Sequence, residues 1–146
     1  MYQRILVCTD GSPLSHKAVA SGVALAAALG AEIVAFTVVD LYPQSYFEGA
    51  LMLNAKEIEA IESQWRDKAR GLLETIQKKA EEVNVKTTVV LGQGPVWDAI
   101  VKAAKKQKCD LVVMASHGRK GVARVLLGSE TLAVLTHSHV PVLVLR

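Results

Sequence analysis

Five short, largely apolar runs, each separated from the next by a stretch of helical character, constrain this chain more than any other feature. The runs are Arg4 to Thr9, Glu32 to Val39, Lys86 to Leu91, Leu111 to Ala115 and Val140 to Leu145. Runs of this length and apolarity are those of strands covered on both faces. Between the first two, Ser15 to Leu29 is alanine-rich and helical. It follows Ser12-Pro13, an N-cap with proline at the first helical position, and stops at Gly30. Asn54 to Val83 reads as a long helix, with Ile58, Ile61, Trp65, Ala69, Leu72, Leu73 and Ile76 at three- and four-residue steps. Val96 to Lys106 is a shorter helix after the turn Gly92-Gln93-Gly94-Pro95, and Ser129 to Thr136 precedes the last run. Leu41 to Leu53, which holds Tyr42, Pro43, Tyr46, Phe47 and Gly49, reads as a loop or broken helix. Strands alternating with helices predict right-handed crossovers and a parallel sheet with helices on both faces. The expected fold is an α/β, doubly wound, open five-stranded parallel sheet of order 3-2-1-4-5, Rossmann-like. With 146 residues and no repeat, linker or low-complexity tract, one domain over 1–146 is expected.

In that order the sheet reverses direction between the first and fourth strands, and ligands of open α/β sheets bind beyond the carboxyl ends of the strands at that point. The first strand ends at Thr9-Asp10. The fourth ends at Met114-Ala115-Ser116, followed by His117-Gly118. Gly118 lets backbone approach a ligand without a Cβ in the way. Gly128-Ser129 stand where the last helix begins, with free N–H groups and the positive end of a helix dipole. Arg119, Lys120 and Arg124 add positive charge between them. Together these make a phosphate cradle, and the chain reads as a nucleotide-binding protein. Val38 and Val39 end the second strand beside the switch point, where backbone can meet the edge of a base. Asp10 has two readings that the sequence leaves open: an Asx hydrogen bond that organises the turn into the first helix, or a ligand for ribose or a metal beside phosphates.

Other functions are excluded by composition and spacing. Hydrophobic residues make up 51% and charged residues 21% of the chain, which excludes disorder. The net charge of +3 owes part of its value to Lys102, Lys105, Lys106 and Lys108, read as the solvated face of one helix. No basic-aromatic stripe suits nucleic acid. Cys8 and Cys109 form no CxxC pair and read as buried thiols of a reducing compartment. No apolar run is long enough to cross a bilayer, and the N-terminus lacks a signal-peptide pattern, so a cytoplasmic location without membrane insertion is expected. His16, His117, His137 and His139 lack the spacing of a metal site. His137 and His139 suit capping of the last helix's carbonyls instead. Neither GxSxG nor GxxxxGK[ST] is present, and Ser116-His117 are neighbours rather than a nucleophile and its base. No catalytic and no metal-ligating residue is assigned, and enzyme activity is not expected.

The whole chain resembles the universal stress protein family. The likeness is carried by Arg4-Ile5-Leu6-Val7-Cys8-Thr9-Asp10-Gly11-Ser12, Val38-Val39-Asp40, Gly94-Pro95, Asp110 to Gly118, Leu126-Leu127-Gly128-Ser129 and Pro141 to Leu145. The family's nucleotide-binding signature, G-2x-G-9x-G-[ST], falls on Gly118, the stretch Arg119 to Leu127, and Gly128-Ser129. Ala115 stands where the signature has its first glycine, and the departure implies a tighter space near ribose or the α-phosphate. The resemblance implies ATP, or ADP or AMP, with Mg2+. Asp10 would contact the sugar or metal and Val38 the adenine. Met114 would line the pocket, and Gly118, Gly128 and Ser129 would hold phosphates. The candidate cofactor-binding set is Thr9, Asp10, Val38, Val39, Met114, Ala115, Ser116, His117, Gly118, Arg119, Gly121, Gly128, Ser129, Glu130 and Thr131. The family also implies a homodimer through the last strand, here Val140 to Leu145, and an unidentified protein partner in a stress response. An apolar edge strand favours such pairing. The alternative is a nucleotide-free interaction module of the same family.

Overall fold

A computed structural model describes residues 1–39, 53–118 and 127–146. The sheet is built outward from β1 (Arg4–Cys8), which pairs in parallel with β2 (Glu32–Val38) on one side and β4 (Leu111–Ala115) on the other. β3 (Thr87–Gly92) adds to β2 and β5 (Val142–Leu145) to β4, giving the order β3-β2-β1-β4-β5. This is the expected doubly wound, open parallel sheet. Four helices connect these strands: α1 (Pro13–Leu29), α2 (Ala55–Glu81), α3 (Val96–Lys106) and α4 (Ser129–His137).

Pleat alternation sorts the core into two layers. Ile5, Val7, Ile33, Ala35, Leu111 and Val113 face α1 and α2, where they meet Ala18, Val19, Leu73 and Ile76. Leu6, Cys8, Val34, Phe36, Val112 and Met114 face α3 and α4, where they meet Ala99, Ile100, Ala103 and Val134. Helix ends follow their sequence signals. The Ser12 hydroxyl accepts the Ser15 N–H at 3.2 Å to start α1, and Gly30 ends it at φ 66. Asn54 and Glu57 form a reciprocal capping box at the start of α2. Most of the segment Leu41 to Leu53, including its aromatic cluster, lies outside the described residues.

Strand ends differ slightly from expectation. β1 stops at Cys8, yet the Thr9 N–H still donates to the Phe36 carbonyl at 3.0 Å. β2 stops at Val38, and the Val39 N–H donates to the Gly92 carbonyl at 2.9 Å. β5 begins at Val142 rather than Val140. Pro141 brings no N–H to the ladder, and Val140 is held by the Ser138 hydroxyl, which donates to its carbonyl at 2.7 Å. The expected last helix, Ser129 to Thr136, extends one residue to His137, and His137 Nδ1 lies 2.9 Å from the Ala133 carbonyl.

The amino edge of the sheet is tied by charge. Glu32 on β2 meets Arg4 on β1 at 2.7 Å and Lys86, just before β3, at 2.8 Å. The Asp110 carboxylate accepts the backbone N–H groups of Gln3 and Arg4. The hydrogen bonds from Lys86 and then Arg4 hold the Glu32 carboxyl below its ordinary value of 4.5. A depressed carboxyl contributes stability that is fully present above 4.5 and is lost as pH falls through the folded-state value. Glu32→Gln is therefore expected to lower the melting temperature slightly at neutral pH, because a one-third exposed pair is worth little. The two melting curves should converge on acidification, and a difference that grows in acid would refute this assignment.

Candidate functional site

At the switch point β1 and β4 run side by side, with Val7 opposite Val113, so the chain leaves both strands at adjacent positions. Asp10 spans the gap. Its Oδ1 accepts the Ser12 N–H at 2.9 Å, which is the Asx turn into α1. Its Oδ2 lies against Gly118, where a Cβ would stand only 2.5 Å away. Gly118 thus admits the carboxylate of Asp10 beside the end of β4. One oxygen of Asp10 organises the turn while the other is turned toward the candidate site.

The neighbouring strand ends are fixed by hydrogen bonds. The Thr9 hydroxyl lies 3.0 Å from the Ser15 hydroxyl and accepts the Gly11 N–H at 3.2 Å, and the Thr9 carbonyl accepts from Thr37 Oγ1 at 2.6 Å. Phe36 uses its carbonyl toward β1, and Val39 uses its N–H toward β3. Alternation along the ladder therefore turns the N–H and C=O of Val38 toward the β1 side, past the last rung to β1. Val39 itself is buried.

α4 is seated directly on the end of β4. The Gly128 N–H donates to the Ser116 carbonyl at 2.8 Å, so it is not the free donor expected at this helix start, and the buried Thr131 hydroxyl lies 3.1 Å from the carbonyls of both Ala115 and Ser116. Ser116 is buried, and its N–H donates to the Leu145 carbonyl at 2.8 Å. Its hydroxyl lies 3.2 Å from His117 Nδ1. The first turn of α4 begins at Ser129 and has no side-chain cap among the described residues. Glu130, the acid of that turn, is engaged elsewhere: its Oε2 accepts the Trp97 N–H at 2.7 Å and so caps α3, whose own N-cap Pro95 offers no side-chain bond. The carboxylate that would repel an anion at the start of α4 is bonded to the next helix.

Met114 and Val38 pack with the α3/α4 layer. Ala115 packs with the α1/α2 layer, on the other face of the sheet. Its methyl therefore points away from α4. Arg119 and Gly121, with Lys120 and Arg124, lie outside the described residues. Among the described residues no group of His, Cys, Asp and Glu could hold a metal ion, and no helix is long and apolar enough to cross a membrane. Burial raises the Cys8 thiol far above its ordinary range and pushes Cys109 up to about 11, so neither is a ready thiolate. Three arrangements were not foreseen from sequence: the Thr131 clamp, the Glu130 cap, and the stacking of Trp97 on His137 at 4.4 Å. Only an acid in the first turn of α4 hinted at any of them, and its partner lies 33 positions away.

The Asp10–Gly118 contact is measurable. Gly118→Ala is expected to cost about 0.5–1.5 kcal/mol, as the end of the Asp10 side chain is displaced from its rotamer. In an Asp10→Ala background most of that cost should vanish, as a double-mutant cycle by chemical denaturation would show. Additive costs would mean that the two residues are not coupled.

An open parallel sheet of this order, with a clamped helix start and three strand ends converging at its switch point, defines a doubly wound α/β protein of the Rossmann-like class. The chain belongs to the universal stress protein family, whose model matches residues 1–146. Universal stress protein MJ0531 of Methanocaldococcus jannaschii is 34% identical over 146 residues, covering 100% of this chain and 83% of that protein. The solved structure of MJ0577 superposes with a TM-score of 0.77 at 30% identity over 99% of this chain and 96% of that one. A universal stress protein solved in complex with cAMP superposes with a TM-score of 0.70 at 28% identity, over 99% and 97% of the two chains.

Proposed function

We propose that this protein binds an adenine nucleotide, ATP with Mg2+ or else ADP or AMP, at the switch point, and that it acts as a regulatory dimer in a stress response. The observation that carries this reading is the first turn of α4, which has no side-chain cap among the described residues and is clamped to the end of β4, where Asp10 Oδ2 also lies against Gly118. The family member solved with cAMP supports an adenine ring, a ribose and a phosphate as ligand. Phosphates would lie on the N–H groups and hydroxyl of Ser129, the Asp10 carboxylate would meet the sugar or the metal, and the Val38 backbone would meet the base. Ser116 is buried beside His117, so the pair offers no exposed nucleophile. The nucleotide then acts as a conformational ligand rather than a substrate.

The face assignment bears on Ala115. α4, Met114 and Val38 share one side of the sheet, and the Ala115 methyl packs on the other. On this reading the alanine tolerates the nucleotide, and the crowding implied by the family signature is not expected. Micromolar binding, about −8 kcal/mol, is expected in a calorimetric titration with ATP and Mg2+. Asp10→Ala should weaken it. Ala115→Gly should leave affinity unchanged while lowering the melting temperature, since it removes a packed methyl and loosens the unfolded chain. Absence of binding by ATP, ADP, AMP and cAMP would leave the nucleotide-free interaction module. Tighter binding by Ala115→Gly would place the methyl in the site.

For the dimer, the open edge of β5 is the support, with exposed Leu143 beside it and exposed Leu132 and Leu135 on α4. The Leu145 carbonyl faces β4, so the N–H of Val144 faces outward. Val144→Pro removes that donor while sparing the bonds to β4. It is expected to convert a dimer to a monomer in light scattering, and a persistent dimer would point to another interface.

A further inference from the structure

α1, α2 and α3 are each followed by a residue with a left-handed backbone: Gly30 at φ 66, Asn84 at φ 58 and Lys108 at φ 55. Glycine and asparagine are the ordinary choices at such a position. Lysine carries a steric cost in that backbone that glycine would not. Lys108 stands on the rim of a groove of about 270 Å³ between the last turn of α3 and the turn that leads into β5. Val101, Ala104, Cys109 and Val140 line it, and Lys105 and His139 complete the rim. The groove lies at the amino ends of β4 and β5, opposite the switch point.

Two lysines at this groove lack an acidic partner among the described residues. Lys102 is paired with Asp98 at 2.6 Å, and Lys86 with Glu32 at 2.8 Å. Lys105 and Lys108 form no ion pair among the described residues. Asp110, adjacent in sequence, has both carboxylate oxygens on the N–H groups of Gln3 and Arg4. The result is an apolar trough with two unpaired lysines and a histidine on its lip.

We propose that this groove docks an acidic, extended segment of a partner protein. An apolar side chain of the partner seats over Ala104 and Val140, and flanking carboxylates meet Lys105 and Lys108. Charge complementarity selects this occupant, because an apolar segment alone would leave both ammonium groups unpaired and a basic one would be repelled. Nucleotide binding at the far end of the sheet is not required.

The probe is a fluorescein-labelled peptide alternating glutamate-aspartate pairs with leucines, followed by anisotropy at low and high salt. Binding is expected to weaken with salt and to fall about tenfold or more in the doubly substituted Lys105→Glu, Lys108→Glu protein. Replacing the peptide's leucines by serine should weaken binding, and replacing its acids by lysine should abolish it. Lys108→Gly should also weaken binding, since glycine keeps the left-handed backbone but removes the ammonium group. No binding by the unaltered protein, or no response to the double substitution or to Lys108→Gly, would each overturn the proposal. So would equal or tighter capture of phosphatidylserine vesicles, which would name a lipid surface instead.

Discussion

The seating of α4 on the end of β4 is the interaction on which the candidate site depends. One buried hydroxyl, that of Thr131, lies within reach of two successive strand carbonyls, and the Gly128 N–H donates to one of them. These bonds satisfy carbonyls that a strand leaves bare when it runs out of partners, and they fix where the first turn of the helix points. α1 and α2 cap their first turns with their own side chains, and α3 borrows the Glu130 carboxylate. α4 alone among these four lacks such a cap among the described residues. The one carboxylate on its first turn is bonded to α3 instead of to its own helix.

At the same end of the sheet Asp10 joins the ends of two strands. Asp10 serves the turn into α1 with one oxygen and faces Gly118 with the other. Of the two readings that the sequence leaves open, the Asx turn is present, with Asp10 Oδ1 accepting the Ser12 N–H. Gly118 in turn is a glycine for a reason internal to the protein, the approach of Asp10, besides any approach of a phosphate. The amino edge is organised differently, by Glu32 between Arg4 and Lys86, and it carries the lysine groove rather than strand-end backbone.

Much of this fold is legible in the sequence because local patterns and the tertiary structure agree. α3 occupies Val96–Lys106 as its periodicity predicts, and the Ser12-Pro13 and Gly30 signals bound α1. Strand ends shift by one or two residues because hydrogen bonding continues past the regular ladder at Thr9 and Val39, and because Pro141 cannot donate. The face of Ala115 was available from alternation alone, by counting from Leu111 through Val113. The roles of Glu130 and Thr131 were not, since the partner of the first lies on another helix and that of the second on another strand. Nothing in a linear pattern places Lys108 over a groove, although its position after α3 is the kind that glycine usually fills.

The central claim is that an adenine nucleotide lies on the α3/α4 face of the switch point, between the start of α4 and the end of β2. Amide hydrogen exchange with and without ATP and Mg2+ tests this location directly. The account predicts added protection at Ser129 to Thr131 and at Val38, with none at Ser138 to Val140. Protection confined to other segments, or none at saturating nucleotide, would contradict it.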